Sequence, residues 1–185
     1  MLYIMRHGRT DWNVDYKVQG RTDIPLNEEG IQMAQKARGK IQKIPFDICY
    51  SSPLIRAKKT AEIVLEGTDC PIVEDERLME MSFGICEGDS HIFRNPNHPL
   101  FKLFKDPVNY ITVEGGESFD DVSNRCKSFL KEVIAPELAV DKNILIVAHG
   151  ALNCCMIGQI RRTPLEHFWD NMTENCELVE LGNRI

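Results

Sequence analysis

Ile144-Leu145-Ile146-Val147-Ala148, followed at once by His149-Gly150, is the stretch on which the fold turns. Five apolar residues in a row, without polar alternation, fit a strand covered on both faces, as in the centre of a parallel sheet. Working outward, Leu2 to Met5 and Asp47 to Ser51 read as further short strands, and Pro71 to Val73 as another. Helical patterns lie between them. Asn27 can cap a helix that opens with Glu28 and Glu29, acids that suit the positive end of its dipole. Ala34, Ala37, Ile41 and Ile44 then recur at steps of three and four. Ser52-Pro53 reads as a cap with proline at the first helical position, followed by Leu54, Ala57, Ala61 and Val64 on one face. Phe119, Val122, Cys126, Phe129 and Val133 give another face, and a helix from Ala151 to about Gln159 and a strand near Cys176 to Leu181 complete the order. Strands alternating with amphipathic helices predict an α/β layered domain around a mostly parallel sheet.

The composition sets outer bounds. With 185 residues, 43% of them hydrophobic and 27% charged, the chain suits one packed domain, 1–185, with no repeat or linker. The segment of about 87–114, rich in Gly, Pro and Asn, is expected to be a loop or small helical insert. Twenty-two Lys and Arg against 28 Asp and Glu leave a formal charge of -6 and no basic block, which disfavours nucleic acid and anionic membranes as partners. No apolar run has the length needed to cross a bilayer. The opening Met1-Leu2-Tyr3-Ile4-Met5-Arg6 is too brief for a signal-peptide core, so a cytoplasmic protein is expected. The seven cysteines are scattered and odd in number, with no Cys-x-x-Cys pair. They read as small buried hydrophobes rather than a disulfide framework or zinc site.

In open parallel sheets, ligands bind beyond the carboxyl ends of the strands, beside helix N-termini. The three segments there are Arg6-His7-Gly8, Ser52-Pro53-Leu54-Ile55-Arg56 and His149-Gly150. One histidine after a strand is usually structural, and one arginine on a helix usually faces water. Two of each, at the exits of one sheet in an acidic protein, point to a local anion pocket.

Arg6-His7-Gly8, with Thr10, Trp12 and Asn13 behind it, resembles the signature of the histidine phosphatase superfamily, of phosphoglycerate-mutase-like fold. The likeness continues through Gln19 to Asn27 with Gly30, Ser51 to Ala57 with Thr60-Ala61, and Arg77-Leu78-Met79-Glu80 with Phe83-Gly84 and Glu87-Gly88. Gly115-Gly116-Glu117-Ser118 and Val147-Ala148-His149-Gly150 follow in family order. The resemblance implies a three-layer α/β/α sandwich. It also implies that His7 is a nucleophile forming a phosphohistidine, that Arg6, Arg56 and His149 surround the phosphoryl oxygens, and that Asn13, Gly20 and the Gly150 backbone add donors. Glu80 is then the general acid and, in a second step, the base that activates water. Neither a metal nor any other cofactor is implied, and the partner is a small phosphorylated metabolite.

Two positions depart from the family pattern. Arg9 stands where glutamate is common, and reads as a solvated charge. Cys86 stands where tryptophan is usual. His91, His98 and His167 fall outside the matching blocks and read as surface or structural. Met79 and Met81 read as core filling, with the wall of a leaving-group pocket as the alternative, while Phe93, Phe101 and Phe104 are candidates for an apolar cover over the site. A phosphatase of small phosphomonoesters is expected ahead of a phosphoglycerate mutase, because family mutases carry longer inserts than the segment from Glu80 to Gly116. An idle phosphate-binding module is the third reading, disfavoured because His7, Glu80, both arginines and His149 are all present.

Overall fold

The computed structural model describes residues 1–90 and 92–183. Its centre is β4 (Ile144–Ala148), every residue of which is buried. Parallel to it on one side runs β1 (Leu2–Arg6), and on the other β2 (Ile48–Ser51), which pairs in turn with β3 (Ile72–Glu74). An antiparallel edge strand, β5 (Leu178–Gly182), completes the order β3-β2-β4-β1-β5.

The period of two along β4 divides the interior. Ile144, Ile146 and Ala148 join Leu2 and Ile4 in one apolar cluster, and Leu145 and Val147 join Met5 and Cys49 in the other. The second cluster is closed by α2 (Glu28–Ile41) and α3 (Ile55–Leu65). The first is closed by α5 (Phe119–Phe129), its wider continuation Leu130–Ile134, α6 (Ala135–Leu138) and α7 (Gly150–Arg161). The result is the three-layer α/β/α sandwich expected. The short helices α1 (Asp11–Val14) and α4 (Phe101–Lys105) lie in the loops above the strand exits and the insert.

The cap of α2 forms as expected, with Asn27 Oδ1 accepting from Gly30 N at 2.9 Å, although the helix ends before Ile44. The Ser52-Pro53 reading is corrected. The helix begins two residues later, at Ile55, with no side-chain cap. The Ser52 hydroxyl accepts from Leu54 N at 3.3 Å and turns toward His149 instead. The insert is helical in short pieces: turns at Ile92–Arg94 and Pro107–Asn109 flank α4. Among the described residues no helix is long and apolar enough to cross a membrane. All seven cysteines are free thiols, five of them buried.

Candidate active site

Register brings the three motif segments together. Arg6 pairs with Ala148 across β1 and β4, His7 N donates to Ala148 O at 3.0 Å, and Ser52 N donates to Val147 O at 3.1 Å. His7 and His149 therefore leave neighbouring strands side by side, with ring centroids 5.2 Å apart. His7 Nδ1 lies 2.6 Å from Gly8 O. A carbonyl can only accept, so Nδ1 carries the proton and Nε2 keeps its lone pair. His149 Nε2 meets Ser52 Oγ at 2.8 Å, while its Nδ1 is buried without a partner. Burial first, and then the charges of Arg56 and Arg6, hold His7 well below the ordinary imidazole range. Burial and Arg56 do the same to His149.

The arginines are fixed by backbone carbonyls. Arg56, fully buried, donates from Nη1 to Thr22 O at 3.0 Å and from Nη2 to Gly20 O at 2.6 Å. Arg6 donates from Nη1 to Thr173 O at 2.9 Å, with Met172 Sδ at 3.7 Å. The Nε of each is buried and unpartnered. Burial pulls Arg56 down to about 10, which leaves it charged at neutral pH, and pulls Arg6 down as well.

Glu80 bridges two elements. Its Oε1 accepts from Met81 N at 2.9 Å and Leu152 N at 2.9 Å, and its Oε2 from Ala151 N at 3.1 Å. Two of these donors belong to the first turn of α7, where N–H groups otherwise lack partners. Gly150 sits between the charges: a Cβ there would lie 3.6 Å from both Arg6 Cζ and Glu80 Oε2.

A ring of bracing contacts holds these groups. Glu87 accepts from the N–H groups of Arg21, Thr22 and Phe83 and from the Thr22 hydroxyl, which fixes the loop whose carbonyls hold Arg56. Gly20 lies in that loop at φ 55°, and a Cβ there would stand 2.0 Å from Glu87 Oε1, so a side chain at this position would displace the Glu87 brace. Arg125 donates to Arg77 O and Met79 O, both at 2.7 Å, and pairs with Glu117, thereby bracing the segment that carries Glu80.

A cavity of about 530 Å³ opens over the site. Arg6, His7, Asn13, Gly20, Arg56, Glu80 and Gly150 all line it. His149 does not: it is enclosed beside His7, with only its Nδ1 left over. Gly20 contributes a carbonyl to Arg56, and Asn13 Oδ1 is taken by Thr10 N at 3.1 Å in the cap of α1. Arg9 pairs with Glu29 at 2.7 Å on the surface, as its reading as a solvated charge expects. Cys86 is buried, which raises its thiol. His98 meets Asp89 at 3.2 Å and His167 meets Asp170 at 2.9 Å, away from the cavity, while His91 lies outside the described residues. Of the three candidate phenylalanines, Phe93 and Phe104 line the cavity and Phe101 does not. The methionine on its wall is Met172, not Met79 or Met81.

Sequence reasoning missed Ser52 as a partner of His149, Arg125 as the brace of the Glu80 segment, and Met172 and Trp169 on the cavity wall. Ser52 and Glu117 lay within matching blocks and could have been asked for a role. Arg125, Trp169 and Met172 carried no local signal.

Residues 2–183 match the model of the histidine phosphatase superfamily (branch 1). The chain belongs to that superfamily. It is 35% identical over 157 residues to the uncharacterized phosphatase PhoE of Bacillus subtilis, covering 85% of this chain and 75% of that one. It is 33% identical over 159 residues to 2,3-bisphosphoglycerate-dependent phosphoglycerate mutase 2 of Gloeobacter violaceus, covering 81% and 70%. Its fold superposes on the mycobacterial glucosyl-3-phosphoglycerate phosphatase complexed with VO3 at a TM-score of 0.84 and 30% identity, over 96% of this chain and 90% of that one. Members of the superfamily similar to this chain thus include both phosphatases and mutases.

Proposed function

We propose that the protein is a metal-independent phosphatase that hydrolyses small phosphomonoesters through a phosphohistidine at His7. The observation that carries the reading is the His7 ring itself: Nδ1 is tied to Gly8 O, so Nε2 is a neutral nucleophile, and it stands beside the buried guanidinium of Arg56 and the half-buried one of Arg6, each with a buried Nε that lacks a partner. Phosphoryl transfer is chiefly positioning and charge stabilisation, which fixed arginines and the Nδ1 of His149 are suited to supply.

The steps follow from those positions. His7 Nε2 attacks phosphorus in line with the ester oxygen. The P–O bond breaks, and the leaving oxygen takes a proton from Glu80. Oε2, which accepts a single N–H, is the oxygen available to carry that proton. Glu80, now a carboxylate, takes a proton from water. The water oxygen attacks phosphorus, the P–N bond breaks, and inorganic phosphate leaves.

Quenching turnover of a ³²P-labelled phosphomonoester should leave acid-labile label on His7. His7→Ala should lower kcat by a factor on the order of 10⁴ or more. Label on another residue, or turnover surviving in His7→Ala, would overturn the reading. Incubation with 3-phosphoglycerate and its bisphosphate separates hydrolysis from the isomerisation named for the Gloeobacter relative.

A further inference from the structure

A second cavity, of about 370 Å³, opens between α5, the C-terminal half of α7 and the turn that follows it. Ser123, Lys127, Cys155, Gln159 and Arg162 line it, and none of the phosphate-site residues does. Gln159 fixes how the two helices meet. Its Nε2 donates to Ser123 O at 2.9 Å and Ser123 Oγ at 3.1 Å on α5, and to Cys155 Sγ at 3.5 Å on α7 itself. Asp120, at the start of α5, shares the cavity with Thr163, past the end of α7, so the helices run antiparallel. One turn back from Gln159 is Cys155, and one turn on from Ser123 is Cys126. The register thus sets these two thiols opposite each other in one buried cluster, where the Cys126 S–H donates to Cys155 Sγ.

The two sulfurs are not equivalent. Cys155 borders the cavity, while Cys126 is wholly enclosed behind it. The hydrogen bond from Cys126, then that from Gln159 and the charges of Arg125 and Lys127, hold the Cys155 thiol below its ordinary value against the opposing effect of burial. The other six thiols are raised. Cys126 is raised by giving its proton to the bond with Cys155, and the rest by burial, which takes Cys70 to about 11 and Cys176 to about 12. The thiolate is the reactive form, and Cys155 combines thiolate character, a route to solvent and a second thiol at hand.

We propose that Cys155 is an oxidation site for hydrogen peroxide, with Cys126 as its resolving thiol, and that the resulting crosslink slows turnover at the phosphate site. In the first step the Cys155 sulfur attacks a peroxide oxygen and the O–O bond breaks. The departing hydroxide is protonated to water, and Cys155 becomes a sulfenic acid. In the second step the Cys126 sulfur attacks Cys155 Sγ, the S–O bond breaks, and the hydroxyl leaves as water with the Cys126 proton. Two thiols are oxidised by two electrons, and one peroxide is reduced to two waters.

The crosslink reaches the site through braces on both helices. Arg125, next to Cys126, holds Arg77 O and Met79 O, and the first turn of α7 holds Glu80. Sulfurs in a hydrogen bond must close to about 2.05 Å in a disulfide, which draws α5 against α7 and shifts both supports of Glu80.

The test exposes the reduced protein to hydrogen peroxide, blocks the remaining thiols with iodoacetamide and maps the peptides by mass. A Cys126–Cys155 linked peptide should form before any other thiol is oxidised, and dithiothreitol should reverse it. Cys126→Ala should stop at a sulfenic acid on Cys155, trapped by dimedone, and Cys155→Ala should leave Cys126 reduced. Earlier oxidation of Cys70 or Cys176, or a bond between two copies of the chain, would overturn the site, and this reading on wild type needs no variant to fold. Turnover of the crosslinked protein should fall by about tenfold or more and return with dithiothreitol, while Cys155→Ala keeps its activity under peroxide. A complete crosslink with unchanged turnover overturns the coupling to Glu80. The turnover arm rests on the phosphatase reading: an untreated protein without turnover sinks that reading, and the mass map still decides the thiol pair.

Discussion

The two halves of the cavity are held by different forces. On the strand side each polar group of the site has a named polar brace: Gly8 O for His7, Ser52 for His149, Thr173 O for Arg6, the Gly20 and Thr22 carbonyls for Arg56, and the first turn of α7 for Glu80. On the insert side the wall is rings on rings, with one indole N–H as its anchor. Hydrogen bonds fix direction, and a developing phosphoryl charge needs fixed donors. Ring stacking fixes area more than direction, and tolerates exchange of one apolar group for another. The cradle should therefore be intolerant of small chemical changes, and the wall tolerant of them.

The strongest test of that contrast is Arg56→Lys. Lysine keeps the charge, but its three N–H donors radiate from one nitrogen and cannot reproduce the planar fork whose separate nitrogens reach Thr22 O and Gly20 O. We expect kcat/KM to fall by about 10²–10³ on every ester, whatever its alcohol. A conservative change on the wall, Phe104→Leu, should stay within a few-fold. If both variants lost activity equally, the division into a directional and a tolerant half would fail.

Gly150→Ala sharpens the comparison inside the cradle. The added methyl would rest at ordinary contact distance from its neighbours, 3.5 Å from Met172 Sδ and 3.6 Å from Arg6 Cζ and Glu80 Oε2, so the fold should accept it. The same methyl projects between the two charges that would face a bound phosphoryl group. We expect KM to rise by roughly 10- to 100-fold with Tm unchanged, a loss of about 1.4–2.7 kcal/mol in binding. Gly20→Ala, by contrast, meets Glu87 at φ 55° and should lower Tm as well as activity. Unchanged KM in Gly150→Ala would mean the phosphoryl group sits elsewhere.

The same division explains what could be read in the sequence. The sheet was legible because β4 is an unbroken apolar run and because strand and helix periods differ, and the family motif marked His7, Arg56, Glu80 and His149. The Ser52 reading failed because a serine before proline satisfies the rule for a helix cap, while the distant ring that claims its hydroxyl lies 97 residues away. Arg125 was invisible for a related reason: its partners are main-chain carbonyls 46 and 48 residues upstream, and carbonyls have no sequence signature. The aromatic wall could be anticipated only by composition. Phe93 and Phe104 were picked out by their place in the insert, but Phe101, three residues from Phe104, carries the same local signal and is not part of the cavity lining.

The smallest expected effect concerns stability and separates the halves by charge. Burial and the arginines keep the rings of His7 and His149 neutral in the folded protein well below the usual imidazole value. In the unfolded chain the same rings take up protons from about pH 6.5 downward. Unfolding therefore binds protons in that range, and stability falls as pH drops through it. Both rings contribute to the fall in stability between pH 7.5 and 5.5, measurable as the urea-unfolding free energy of the ligand-free protein. His149→Asn should remove about half of this dependence. Phe93→Ala, which touches no titrating group of the cradle, should leave the slope intact whatever it does to the absolute value. A flat profile in the wild type would mean that the two rings already take up protons in the folded state, and His7 could not then be a neutral nucleophile at acid pH.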